Sequence, residues 1–272
     1  MPTSIPIDAS TPLCYAPAVP PLPDEAFVTF ADARFLPLCE VLVRGLERFS
    51  SRPVMVYGID TDVGFDAPNL IKRRIDSGGR FVYYLKLRLL LECGLERGVF
   101  LDADNVPNRG VDRLFDACGE AGDHPILPRH PSDLGAHLHR ELMEELGVER
   151  KTMPYVHSCC LAFNGRGRPF LEECYRIAQD LERRGTIPLA YDESIVNVLL
   201  WRAGATRHLE SCNIHHGFCE GYLNGSFRDD PEFQRRYGAH PFRFDSFHYC
   251  KDPERAAWML ESLAGRASAL VE

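Results

Sequence analysis

The sequence predicts an α/β fold built on a mainly parallel central sheet, and three observations carry that prediction. A short β-prone run, AFVTF (Ala26–Phe30), is followed by a helical repeat and then by a second apolar run, VMVYG, behind Pro53. Strand, helix, strand in that order implies a parallel pair joined by a right-handed crossover. A long leucine-rich stretch, residues 81–93, ends at Gly94 and leads into a third apolar run, GVFLD. No internal repeat or low-complexity block breaks this alternation in a chain of 272 residues, long enough to bury a sizeable core.

Each element follows from its residues. After the first strand, Phe35, Leu38, Leu42, Leu46 and Phe49 recur at helical spacing, with Asp32 available as a cap. Residues 81–93 are too long and too rich in leucine for a strand, so they read as a buried helix stopped by Gly94. NRGVDRLFD (108–116) reads as a turn and a short helix, PILP (125–128) as a further strand, and 137–146 as a polar-faced helix. HSCCLAFN (157–164) is a strand, Pro169 opens a helix to about Arg184, and another helix runs from Asp192 to Arg202 with Gly204 behind it. FRFDSFHYC (242–250) alternates as a strand does, and Pro253 starts a closing helix. Residues 1–25, rich in proline, read as an extended arm or as a disordered leader, and 26–272 as one domain.

Composition narrows the function. With 31 basic against 39 acidic residues the net charge is −8, which argues against a nucleic-acid or polybasic membrane binder. No apolar run reaches the ~20 residues of a transmembrane span, and the N-terminal residues lack the pattern of a signal peptide. Ten cysteines without a secretion signal read as mostly reduced thiols in a cytoplasmic protein. One cluster, Cys212, His215, His216 and Cys219, has a spacing that suits zinc, although a loop beside a substrate pocket is the stronger reading of it.

The segment with most chemistry is GVFLDADNVPN (98–108). In extended backbone, residues i and i+2 point to one side, so Asp102 and Asp104 face one site at the carboxyl end of a strand. Ligands of open parallel sheets gather at that end. Two poorly solvated carboxylates this close need a cation or hydrogen-bond donors to stay charged. Hard oxygens suit Mg²⁺ or Mn²⁺ with positions left for phosphate oxygens.

The order YYLKLRLLLECGLERGVFLDADNVPNRGVDRLFD (83–116) resembles the GT-A glycosyltransferases, and more closely glycosyltransferase family 8, the glycogenin and galactosyltransferase-like family. That family has a lysine-bearing helix leading into a strand that ends in DxD, then an asparagine or proline loop and a DLFD-like helix start. FVTFADA, HSCCLAFN, YDESIVNVLLW and FHYCKDP extend the likeness across roughly residues 26–255. The resemblance implies a GT-A fold and a nucleotide-diphosphate sugar donor, most simply a UDP-sugar, held through Mn²⁺ (or Mg²⁺). It further implies retention of the anomeric configuration, and an acceptor that is a glycan, lipid, protein or small molecule. Asp102 and Asp104 become metal ligands, with His248 as the third.

The same resemblance assigns the remaining roles. Lys86 and Asp192 are the catalytic candidates, Lys86 to offset charge on the leaving diphosphate and Asp192 on the donor-sugar side. Thr29, Ala31, Asp32, Ala103, Glu193 and Lys251 join them as donor-binding residues, and His215 and His216 fall on the acceptor side. Glu193 departs from the family's Asp-Gln pair, which leaves its sugar-binding role open. Asp192 and Glu193 also suit a plain helix N-terminus, Lys86 a lysine snorkelling from an amphipathic face, and His248 a histidine satisfied by backbone.

Two other functions fit an α/β sheet with paired aspartates. A sugar-phosphate nucleotidyltransferase is one, but FADARFLPL after the first strand lacks the glycine-rich phosphate loop such enzymes carry. A non-catalytic nucleotide-sugar-binding protein is the other; it would bind donor without metal and turn nothing over.

Overall fold

The computed structural model describes residues 22–80, 82–130, 140–186, 191–209, 212–213, 245–248 and 250–265. Its main sheet has five strands: β1 (Glu25–Ala31), β2 (Val54–Ile59), β3 (Leu70–Ile75), β4 (Arg97–Leu101) and β6 (Cys160–Asn164), in the order β3-β2-β1-β4-β6. Three of the four pairings are parallel; β6 runs antiparallel to β4, in the register Arg97 with Asn164 through Leu101 with Cys160. A smaller sheet, β5-β8-β7, joins β5 (Val106–Pro107), β8 (Ser246–Phe247) and β7 (Cys212–Asn213).

The helices are α1 (Leu36–Phe49), α2 (Val82–Glu92), α3 (Leu114–Glu120), α4 (Arg140–Glu145), α5 (Arg168–Arg183), α6 (Tyr191–Arg202) and α7 (Pro253–Gly265) among the described residues. Alternation along each central strand feeds two cores. Val28, Met55 and Phe100 point to the side covered by α2, α5 and α6, while Phe27, Val56 and Val99 point to the side covered by α1 and α3. This two-sided burial is why the central strands read as near-continuous apolar runs. A third cluster packs Leu38 of α1 and Met259, Leu260 and Leu263 of α7 around Val106 and Phe247.

Two glycines set close approaches. A Cβ at Gly45 would stand 2.5 Å from the Pro107 side chain, so α1 lies on β5 only because that position is bare. Gly94 has φ +72°, the left-handed stop after α2 that the sequence predicts.

The first strand, the crossover helix, the leucine-rich helix and the closing helix stand where the sequence predicts them. Asp32 caps differently: its Oδ1 accepts from the N–H groups of Arg34 and Phe35, forming a turn ahead of a helix that begins at Leu36. PILP forms isolated bridges, Ile126 to Ala162 and Pro128 to Leu209, and no strand. Of FRFDSFHYC only Ser246–Phe247 pair, while 242–244 and 249 lie outside the described residues. β3 was not apparent in the sequence. It is an edge strand, LIKRRI, whose basic residues make edge pairing with another chain unfavourable.

This topology makes the site. β1 leads through α1 to β2 on one side, whereas β4 lies on its other side, so connections leave β1 and β4 in opposite directions. Open α/β sheets form a crevice at such a switch point, beyond the carboxyl ends of the strands. Ala31 and Asp32 follow β1 into it, and Asp102 to Asn105 follow β4.

Candidate active site

A cavity of about 320 Å³ occupies that crevice. Its lining combines apolar Phe30, Phe35, Ile59, Val82 and Tyr83 with Asp102, Asp104, Asp192, Glu193 and His248. An apolar cleft with a few convergent polar groups is the usual form of a small-molecule site.

Asp102 leaves β4 with its backbone N–H donated to the Cys159 carbonyl at 2.8 Å, which ties the aspartate loop to the start of β6. Asn105 locks the loop further. Its Nδ2 donates to the carbonyls of Asp102 (3.0 Å) and Cys159 (3.2 Å), and its Oδ1 accepts from Ser246 Oγ at 2.8 Å. The last bond, with the β5–β8 pairing, brings the chain after β8 over the aspartates. His248 thus arrives with Nε2 3.1 Å from Asp104 Oδ1 and 3.6 Å from Asp102 Oδ2. One ligand atom from each of Asp102, Asp104 and His248 lies within 4.8 Å of the others.

Lys86 is not a snorkelling lysine. It sits on α2 among buried Tyr84, Leu85 and Leu87 with 3% of its surface exposed. Its Nζ meets Asp102 Oδ1 at 3.1 Å and Asp192 Oδ2 at 3.4 Å, and donates to Ser158 O and Oγ at 3.0 and 3.1 Å. Burial alone would lower its pKa, but the carboxylates of Asp102 and Asp192 outweigh that and raise it, so the ammonium stays charged. For Asp102, burial is the larger influence and raises the pKa despite Lys86 and His248. Asp104 is held below the usual carboxylate range: burial pushes it up, but its hydrogen bond and charge interaction with His248 win.

Asp192 and Glu193, in the first turn of α6, both face the cavity. Asp192 is 2% exposed and its Oδ2 accepts no hydrogen bond, so a buried acceptor is aimed at Lys86 and the cavity. Glu193 has two fixed partners: Oε1 accepts from Tyr155 Oη at 2.5 Å and Oε2 from the Ser158 N–H at 3.0 Å. One helical turn on, Asn197 accepts from the Val156 N–H at 2.9 Å and donates to the Val156 carbonyl at 2.8 Å. The i, i+4 spacing puts Glu193 and Asn197 on one face, where they clamp residues 155–158 beside the aspartates.

Burial raises the Glu193 pKa from 4.5 to about 7, against the pull of Tyr155 and Ser158 toward the charged form. A carboxyl raised in the folded state binds its proton more tightly there than when unfolded. Its stabilisation is therefore full below about 4.5 and lost as pH rises through about 7. The loss is roughly 3 kcal/mol at most. We expect Glu193→Gln, whose carbonyl can take the Ser158 N–H and whose amide can donate to Tyr155, to flatten the fall in stability between about pH 5 and about pH 8. Urea midpoints across that range measure it; an equally steep fall in the variant rejects the assignment.

Of the other residues named from sequence, Ala31, Asp32, Ala103 and Lys251 line the cavity. Thr29 does not; it is buried inside β1, its Oγ1 without a hydrogen bond. His215, His216 and Cys219 lie outside the described residues, and of Cys212 only its place in β7 is described. The sequence reading passed over His157 and Ser158 as site residues. Both line the cavity, and His157 stacks on His130 with ring centroids 5.5 Å apart and lies tilted against His248 at 4.9 Å. Burial first, then the neighbouring His248, His130 and Lys86, hold His157 well below the usual histidine range, so it is neutral. The signal available for them was the strand HSCCLAFN, whose first residues enter the crevice before β6 begins.

No protein-family model matches the chain, and no curated protein matches it. Solved structures do. A galactosyltransferase, LgtC, in complex with donor and acceptor sugar analogues is 17% identical, with a TM-score of 0.58, over 91% of this chain and 96% of that one. An active-site mutant of LgtC, glutamine to glutamate, matches at 17% identity and TM-score 0.57 over the same shares. Among the described residues no helix is long and apolar enough to cross a membrane. The likeness covers nearly the whole of both chains, and the fold of this protein is that of these galactosyltransferases, the GT-A fold.

Proposed function

We propose that the protein is a metal-dependent glycosyltransferase that takes a nucleotide-diphosphate sugar, most simply a UDP-sugar, as donor. The observation that carries this reading is the meeting of Asp102, Asp104 and His248 beside Lys86 at the switch point of a GT-A sheet. The donor set fits a divalent cation: two hard carboxylates and one borderline nitrogen suit Mn²⁺. Charge points the same way. Five carboxyl side chains line the cavity (Asp32, Asp102, Asp104, Asp192, Glu193) against two lysines, Lys86 and Lys251. A diphosphate would be repelled from such a cavity without a cation.

A bound divalent ion would supply positive charge where the leaving diphosphate gathers negative charge. The chain's own groups divide the rest of the work. Lys86 holds Asp102 and Asp192 in place through its two ion pairs. Lys251, exposed and lining the cavity, adds positive charge on the diphosphate side. Asp192, buried at the cavity with Oδ2 3.4 Å from the Lys86 ammonium, would accept from a sugar hydroxyl of the donor. The apolar lining from Phe30 to Tyr83 fits the nucleoside. Galactosyl transfer and retention of configuration follow by likeness to the neighbours and the family.

The test is a panel of nucleotide sugars incubated with the protein, with and without Mn²⁺, and read as free nucleoside diphosphate. Release of UDP from one UDP-sugar, only with metal, supports the proposal; metal-independent binding without release from any donor rejects it. His248→Ala should raise the Mn²⁺ concentration at half-maximal release by about 10–100-fold. An unchanged metal requirement removes that histidine from the site.

A further inference from the structure

His248 belongs to a second ligand set. His157, Cys159 and His248 each bring one nitrogen or sulfur atom, and these atoms also lie within 4.8 Å of one another. The donor site proposed above does not use the Cys159 thiol; that residue contributes there only through its carbonyl, which holds Asp102 and Asn105. A buried cysteine is ordinarily a small hydrophobe, but this one is grouped with two imidazoles that line the charged cavity.

The two sets differ in chemistry. Asp102, Asp104 and His248 are mostly hard oxygen and suit Mn²⁺ or Mg²⁺; two imidazoles and a thiolate are the ligands of zinc. We propose that His157, Cys159 and His248 form a zinc site that competes with the carboxylate site for His248, so that zinc withdraws a ligand from the donor-binding metal. The zinc site stands on its own residues, whereas its effect on transfer rests on the donor-site reading.

Tetrahedral zinc with ordinary bond lengths sets its ligand atoms about 3.5 Å apart, inside the 4.8 Å span that contains the three here. His157 and His248 come from separate segments. Both line the cavity, one lies ahead of β6 and the other just past β8, and their rings are 4.9 Å apart. Cys159 is the fixed member, with its carbonyl held by the Asp102 N–H and Asn105 Nδ2. Binding forms two Zn–N bonds and one Zn–S bond and releases the thiol proton to solvent. The fourth position is left for water. Because His248 serves one ion at a time, zinc weakens Mn²⁺ binding and Mn²⁺ weakens zinc binding by the same factor.

Cobalt reports on the site directly. The full chain titrated with Co²⁺ should develop a near-ultraviolet thiolate-to-cobalt charge-transfer band that Zn²⁺ abolishes. Cys159→Ser should lack the band, and so should His157→Asn, which removes a different ligand. No band in the wild type, or a band that persists in Cys159→Ser, overturns the zinc site whether or not the protein transfers sugar. In Mn²⁺-dependent UDP release, with each protein's rate normalised to its own rate without Zn²⁺, Cys159→Ser should need at least about tenfold more Zn²⁺ for half inhibition. Equal sensitivity to Zn²⁺ in both proteins, with the band present, overturns the competition.

Discussion

Asp102→Asn and Asp104→Asn are each expected to abolish Mn²⁺-dependent release of UDP while leaving the protein folded. Loss of an outer partner of a metal ligand costs about 10–100-fold, so loss of a ligand itself should exceed about 100-fold. Both variants keep the local hydrogen bonds. In Asp104→Asn the amide oxygen can still accept from His248 Nε2, now at 3.1 Å from Oδ1. In Asp102→Asn, Lys86 keeps Asp192 and both oxygens of Ser158. Asp102→Asn also removes a negative charge that burial disfavours, whereas Asp104→Asn gives up the charge interaction with His248 and is expected to be mildly destabilising. The measurement is the release rate at saturating Mn²⁺ alongside thermal unfolding. Unaltered rates in folded variants reject the metal-site assignment.

The other large effect is at Lys86, and it falls on stability as well as on turnover. Lys86→Met leaves Asp102 and Asp192 facing each other across a buried gap without their shared ammonium. Removing one partner of a buried ion pair costs about 3–5 kcal/mol, or roughly 10 °C in Tm for a chain of this size. The defect should depend on pH in a defined direction. Without the lysine, which lowers it, the Asp102 pKa rises further above its unfolded value. The variant is then most stable where Asp102 is protonated and loses stability as pH rises through the raised value. The gap to the wild type should therefore narrow on going from about pH 8 to about pH 5. A defect of the same size at both pH values, or none, contradicts this role for Lys86.

What the sequence disclosed depended on how local each determinant is. The crossover helix and the central strands were legible because burial on one stripe or on both faces leaves a period in the residues. Asp102 and Asp104 were legible because two carboxylates, one residue apart and behind an apolar run, share a side wherever the backbone is extended. β3 stayed hidden because Lys72, Arg73 and Arg74 interrupt any alternation on a half-exposed edge. The antiparallel direction of β6 was not readable either: it depends on how the intervening chain returns, and CLAFN has the same composition whichever way it runs. His157 is the instructive omission. It lies in the turn before β6, and its placement comes from Glu193 and Asn197 of α6, some 35–41 residues further along the chain. No short-range pattern records such a contact. Asn105 is a similar case: it looks like a loop residue, yet it joins Asp102, Cys159 and Ser246 into one unit.

Crystals grown with MnCl₂ and UDP, with data collected at the manganese absorption edge, test the central claim most directly. An anomalous peak bound by Asp102, Asp104 and His248 and by the diphosphate oxygens, with Lys86 still against Asp102 and Asp192, is the expected result. A cavity that binds UDP with no peak at those three residues, their side chains bonded only to protein, would contradict the account.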